Sequence, residues 1–322
     1  MIKLAEAMGN IETPLWTLCR QMGIRYAVAG LPVAAPGTQP WDYMNLLHMK
    51  KSYEDAGLEI AVIESRPPAN HIKVAGPDRD AEIHAIQQLI THMGALGIPV
   101  WCYDFMADFN WFRTSTTTRS RGGALVSSYD HAIAADAPPS EHAGISEDEL
   151  WSNLKYYLEA IVPVAERAGV KLAVHPDDPP ISPIRGMNRI ITSAEAMQRV
   201  VDLVPSPNSG ICLCQGVLSA AGEDIPSVIR HFAKQDKLFF VHFRDTRGTA
   251  DKFEETFHDD GMTDMHACIE TYAEVGFDGP MRPDHVPTMA GEANTRPGYE
   301  TMGRLYANGY IKGLMEAVYK KR

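Results

Sequence analysis

Four short apolar runs of this 322-residue chain each end in a residue that binds metals or moves protons. KLAVHPDDPP (171–180) runs into His175, GICLC (210–214) into Cys214, FFVHFRD (239–245) carries His242, and GPMRPDH (279–285) delivers Asp284 followed by His285. A strand that needed only to turn would use Gly, Asn or Pro. Two imidazoles, a thiol and a carboxylate instead form a mixed nitrogen, sulfur and oxygen set suited to a divalent transition metal. Taken singly, each has an ordinary reading. A strand-end His is commonly a hydrogen-bonded structural residue, a lone Cys is a small hydrophobe, and Asp284, Asp177 and Asp178 have the character of capping or turn acids. Cys212 shares a strand face with Cys214 by the period of two and is an alternative ligand. The coincidence of four ligand-type residues on four successive strands at the same end points to a metal. His285, beside Asp284, has the chemistry of an acid or base at neutral pH. His48, His71, His84, His92 and His131 lie off the strand ends and receive no role.

Those ends meet only if the strands share one sheet. Strands are predicted at 2–8, 24–30, 58–65, 100–105, 171–176, 209–214, 238–245 and 279–285, with 2–8 also open to a helical start. Amphipathic stretches such as DAEIHAIQQLITHMGALG and EDELWSNLKYYLEAIVPVAERAG fill the gaps, and several close on a helix-ending Gly. Alternating β and α units predict a parallel sheet, and eight of them predict a (β/α)8 TIM barrel spanning residues 1–322 as one domain, its active site at the carboxyl ends of the strands. A doubly wound open sheet is the alternative, but no Gly-rich dinucleotide turn follows the first strand. The stretch from about 106 to 146 is predicted as a long irregular active-site loop. Its Trp111, Arg113 and Ser/Thr cluster suit a sugar-contacting lid, with a solvated surface loop as the plainer alternative.

With 30 Lys and Arg against 41 Asp and Glu, the formal charge is −11, which argues against nucleic acid as a partner. An anionic substrate then needs a local cation, and Arg113 and Arg244 are the nearest obvious ones. No run of about 18 apolar residues offers a membrane span. The start, MIKLAEAMGNIE, has no apolar signal core, and five scattered cysteines suit a reducing cytoplasm.

At these residues the sequence resembles the mannonate dehydratase family, the sugar-acid enzymes of hexuronate breakdown. VHPDDPP (174–180) is the most specific piece. CYDFMADFNWFRT (102–114) is similar to the family's Cys-Tyr-Asn-Phe-Met and Asp-Trp-Thr-Arg-Thr segment. IESRPPANHIK, GICLCQG, FVHFRD, MRPDH and PGYETMGRL keep the family's order and approximate spacing over nearly the whole chain. The resemblance implies a xylose-isomerase-like barrel, a divalent metal (Mn²⁺ or Fe²⁺), and a homo-oligomer. It implies His175, Cys214, His242 and Asp284 as ligands and His285 and Tyr299 as catalytic residues; Tyr103, Arg113 and Arg244 are expected on the substrate side, with surface arginines as the alternative for the last two. The implied reaction removes water from D-mannonate, or a related aldonate, to leave a 2-keto-3-deoxy acid. An isomerase or epimerase on the same barrel, and an inactive homologue that binds a sugar acid, are the competing expectations. Three departures bear on the substrate. Val286 and Pro287 stand where the family usually has Gly-His, Gln215-Gly216-Val217 where it tends to have Thr-Gly-Ser, and the insertion after the fourth strand is shorter. All three are expected to lie near the substrate.

Overall fold

The structure, a computed structural model, describes residues 1–320. Its strands are β1 (Lys3–Met8), β2 (Tyr26–Ala29), β3 (Glu59–Ile63), β4 (Val100–Tyr103), β5 (Ser115–Arg119), β6 (Leu125–Asp130), β7 (Lys171–Val174), β8 (Ser209–Cys214), β9 (Leu238–Phe243), β10 (Thr246–Thr249), β11 (Lys252–Glu255) and β12 (Pro280–Pro283). Eight of them close a parallel barrel in the order β1-β12-β9-β8-β7-β4-β3-β2. The first predicted strand, open to a helical reading, is a strand. It pairs with β2 over Ala5–Met8 and with β12 through Lys3 and Leu4, which closes the ring.

Helices cover the outside and a small side-chain core fills the inside, so both faces of the sheet are dry and the strands need no polar alternation. Every residue of β8 and β9 is buried. Ala5, Val28, Val62, Val100, Ala173 and Phe240 belong to the interior cluster. The helix Glu147–Ala168 shows how locally the helices are written. Ser146 and Glu149 form a reciprocal capping box, and Gly169 takes the left-handed conformation just past the end. Gly94, on the neighbouring helix Arg79–Ala95, lies so close to Ala168 that a Cβ there would sit 2.4 Å from its carbonyl oxygen. Among the described residues, no helix is long and apolar enough to cross a membrane.

The segment 106–146 departs from expectation. It holds β5 and β6, which pair antiparallel and continue through β11 to β10 as a four-stranded sheet. Its strands are polar, and their partner β11 lies more than a hundred residues further on, with Lys252 opposite Asp130 and Glu254 opposite Ser128. A window of sequence contains neither a hydrophobic period nor the partner, so the irregular-loop reading missed it.

A buried ion pair ties the last helix, Thr301–Tyr319, to the first strand. Glu6 (1% exposed) accepts from Arg304 Nε at 3.1 Å, from Asn308 Nδ2 at 2.5 Å and from its neighbour Ala7. Removing one partner of such a pair leaves an uncompensated charge in the core. Glu6→Ala is therefore expected to lower the unfolding free energy by about 3 kcal/mol, measured by urea denaturation. A loss below 1 kcal/mol would show that Arg304 finds other company.

Candidate active site

Carboxyl ends of barrel strands surround a cavity of about 210 Å³, whose lining includes Glu64, Tyr103, Trp111, His175, His242 and Tyr299. Each strand brings its side chain there by where it stops. His175 follows the last residue of β7, Cys214 closes β8, His242 lies in β9, and Asp284 follows β12. Ligand atoms of His175, Cys214 and His242 all lie within 4.8 Å of one another. His175 Nε2 is 3.2 Å from His242 Nδ1, which is 3.4 Å from Asp284 Oδ2. The four residues expected at one mouth are thus neighbours, and their donors are of the types a divalent transition metal takes. The other ring nitrogen of His175 points to the Pro176 carbonyl at 2.6 Å, which fixes the ring and turns Nε2 inward.

Electrostatics distinguishes the two cysteines of β8. Burial works against ionising Cys214, but the Arg244 guanidinium and His175 outweigh it and bring the thiol down to about 5. Desolvation would likewise lower His175, yet the Cys214 thiolate raises it to about 9. The pair is a thiolate beside an imidazolium, and binding of a metal would release the His175 proton. Cys212, one pleat deeper, is pushed well above the usual thiol range by burial and by Cys102.

Asp284 collects Arg244 Nε at 2.9 Å, Arg282 Nη1 at 2.8 Å and the Tyr299 hydroxyl at 2.9 Å. Burial alone would raise its pKa; Arg282, His285 and His242 hold it well below the carboxylate range instead. Tyr299, desolvated and facing Asp284, is pushed well above the usual phenol range and keeps its proton. Tyr299 stands in the cavity wall. His285 adopts a left-handed backbone (φ 36°) that is strained for a side-chain-bearing residue, and its Nδ1 is 2.7 Å from Glu255 Oε1. Its ring meets Trp111 and Tyr299 edge-on.

Of the residues expected on the substrate side, Tyr103 lines the cavity and its buried hydroxyl has no hydrogen-bond partner. Arg113 and Arg244 are not in the cavity wall and are instead paired with carboxylates of the protein. Arg113 clamps Asp178 through two nitrogens at 2.6 and 3.0 Å and meets Glu255 at 2.5 Å. Arg244 reaches Asp178 at 2.7 Å and Asp284 at 2.9 Å. Both guanidiniums serve protein carboxylates, since two buried acids beside them need compensating charge. The arginines in the wall are Arg66 and Arg282. Arg282 is committed to Glu64 and Asp284, whereas Arg66 pairs with Asp104 at 2.9 Å and reaches Asn110 at 3.1 Å.

Sequence reasoning missed Glu64, Arg66, Asp104, Arg282 and Glu255, and read Asp178 as a turn acid. Glu64 and Asp104 each follow the last residue of a barrel strand, so the rule that found His175 and Asp284 would have found them too. Glu255 had no such signal, because it lies on the antiparallel sheet. Two of the three departures stand elsewhere than expected, whereas the segment after the fourth strand does reach the cavity through Asn110 and Trp111. Gln215 is buried against Tyr272 and Met265, a Cβ on Gly216 would meet Arg244 at 2.6 Å, and Val286 bonds through its backbone to Gly298. None of them is part of the cavity wall.

A closed eight-stranded barrel with donors that could hold a metal at its carboxyl mouth defines the class as a TIM-barrel protein with a candidate metal site. The same fold occurs in the crystal structure of a Xylose isomerase domain protein from Planctomyces limnophilus, at 12% identity and a TM-score of 0.64, covering 99% of each chain. The family model for D-mannonate dehydratase (UxuA) matches residues 11–143 and 140–322. A mannonate dehydratase of Streptococcus equi subsp. zooepidemicus is 37% identical over 92% of this chain and 87% of its own length. The crystal structure of mannonate dehydratase from Streptococcus suis serotype 2 superposes with a TM-score of 0.92 at 34% identity, covering 99% of this chain and 94% of that one. The chain belongs to the D-mannonate dehydratase family.

The arginine clamp predicts an acid dependence. Burial would raise the Asp178 pKa, but Arg113 and Arg244 lower it below its ordinary value, and Glu255 is lowered by His285 and both arginines against the same burial. Carboxyls depressed in the folded state contribute stability that is present above their unfolded pKa, about 4, and is lost as pH falls from there towards the folded values. The urea midpoint should therefore fall as pH is lowered from 5 to 3. Asp178→Asn should be less stable at pH 7 and show a shallower fall, and an equal slope in both proteins would remove Asp178 from this account.

Proposed function

We propose that the protein is a metal-dependent hydro-lyase that converts D-mannonate to 2-keto-3-deoxy-D-gluconate, using Mn²⁺ or Fe²⁺ held by His175, Cys214, His242 and Asp284. The observation that carries this reading is the donor cluster at the barrel mouth, with His285 and Tyr299 beside it, in a chain of this family. Identity of 37% to a mannonate dehydratase, against 12% to the Xylose isomerase domain protein, favours dehydration over isomerisation. Bound there, the metal supplies Lewis-acid stabilisation of the negative charge that develops when the proton next to a carboxylate leaves.

The chain's own residues do the proton work. His285 donates its Nδ1 proton to Glu255, which leaves Nε2 with a free lone pair to take the C2 proton of the aldonate. Tyr299, held in its protonated form against Asp284, gives a proton to the departing C3 hydroxyl, which leaves as water. The enol that remains takes up a proton at C3 and becomes the 2-keto-3-deoxy acid. Arg66, the wall arginine with the fewer carboxylates to satisfy, binds the substrate carboxylate, and Tyr103 offers its hydroxyl to the sugar chain. Trp111, 37% exposed, covers the His285 side of the opening. A reducing cytoplasm is supported by five free cysteines, and a homo-oligomer by the resemblance to the family.

Purified protein reconstituted with Mn²⁺ under anaerobic conditions should form 2-keto-3-deoxy acid from D-mannonate. Turnover of a different aldonate alone would keep the chemistry and change the substrate, while none across an aldonate panel, with metal bound, would leave an isomerase or a binding protein. Cys214→Ala and His242→Ala should lose metal and turnover together, whereas His285→Ala should keep metal and lose turnover by at least 100-fold, in line with a lost general base. Arg66→Ala should raise KM by tenfold or more, as for a lost charge-assisted hydrogen bond. An unchanged KM would assign the carboxylate to another group.

A further inference from the structure

Beneath the cluster at the mouth lies a second set of donors, two of which the dehydratase reading does not use. The thiols of Cys102 and Cys212 and a ring nitrogen of His242 all lie within 4.8 Å of one another. Cys102 is on β4 and Cys212 on β8, with β7 between them. At that level β7 presents Ala173, paired with Cys102 on one side and Gly210 on the other. Its small side chain lets the two sulfurs approach across the interior, where Cys102, Ala173 and Cys212 are in one apolar cluster. Cys102 also lines the cavity, so an ion entering the mouth has a path to it.

We infer that Cys102, Cys212 and His242 form a second metal site, for a thiophilic ion such as Zn²⁺ or Cd²⁺, which competes with the catalytic metal for His242. Zinc bound at about 2.3 Å to sulfur and about 2.0 Å to imidazole nitrogen brings its donors to roughly 3.5 Å from one another. Atoms already within 4.8 Å need only small side-chain rotations to close on such an ion. Two thiolates neutralise a divalent ion, so the loaded site carries no net charge into the dry interior and avoids the penalty of a buried unpaired charge. Thiol donors select against hard Mn²⁺, which prefers carboxylate and water. His242 belongs to both donor sets, and a neutral imidazole offers a single nitrogen lone pair, so it serves one position at a time. An ion at the deeper site therefore withdraws a ligand from the upper one and silences the enzyme.

The coordination test needs no turnover. Metal-free full-length Cys214→Ala protein, whose upper set has lost its thiol, is titrated with Cd²⁺ while thiolate-to-cadmium charge-transfer absorbance and bound cadmium are measured. One ion per chain should bind with the absorbance of two thiolates, and Cys212→Ala or Cys212→Ser in that background should remove at least half of the absorbance per chain. Absence of binding, or absorbance indifferent to both Cys212 substitutions, would overturn the site. The inhibition arm rests additionally on the dehydratase reading. In Mn²⁺-loaded protein the Zn²⁺ concentration for half-inhibition should rise at least tenfold in Cys212→Ala, with turnover in the absence of zinc unchanged. An equal zinc sensitivity in the two proteins would refute the competition even where the cadmium titration succeeds.

Discussion

The constraint on which the rest of the site depends is the compensation of buried negative charge by arginine at the mouth of the barrel. Asp284 and Asp178 are each 3% exposed, and neither survives as a carboxylate in a dry interior without a partner. Arg282, Arg244 and Arg113 supply those partners, and each spans two acids: Arg282 joins Glu64 to Asp284, Arg244 joins Asp284 to Asp178, and Arg113 joins Asp178 to Glu255. The result is a continuous arc of alternating charge from β3 around to the antiparallel sheet. It keeps Asp284 ionised, as its proposed role of metal ligand requires, and its Arg244 also depresses the Cys214 thiol.

This arc accounts for two features that are otherwise hard to place. Gly216 follows directly on the Cys214–Gln215 step because any side chain there would strike Arg244, so the glycine preserves the arc. The antiparallel sheet, built from two chain segments far apart in sequence, carries Glu255 to the end of the arc and to His285. It is therefore part of the site rather than a decoration on the barrel, since the orientation of the His285 ring depends on it.

The family's chemistry and this chain's departures from it are reconciled by the same geometry. Gln215 and Val286 differ from the family pattern yet turn away from the cavity, so they alter the packing behind the wall and leave its chemical lining as the barrel strands set it. Among the residues that do face the cavity, Arg66 and Asp104 lie just past the ends of neighbouring strands and are paired, with buried Lys73 completing the charge on Asp104 at 2.8 Å.

By itself the sequence determined the eight barrel strands, most of the helices with the glycines that end several of them, and the identity of the residues at the strand ends, because each is encoded in a local pattern of polarity or turn chemistry. His175, Cys214, His242 and Asp284 were legible for that reason, as was the proximity of His285 to them. Only the tertiary structure decided that Arg113 and Arg244 serve Asp178, Asp284 and Glu255 instead of facing the cavity, and that residues 115–130 form a sheet with residues 246–255. A charge's partner is chosen by where the backbone brings the nearest buried opposite charge. For Arg113 that partner, Glu255, lies 142 residues away along the chain. Pairings of that range leave no periodic trace in a sequence, whereas the end of a strand does.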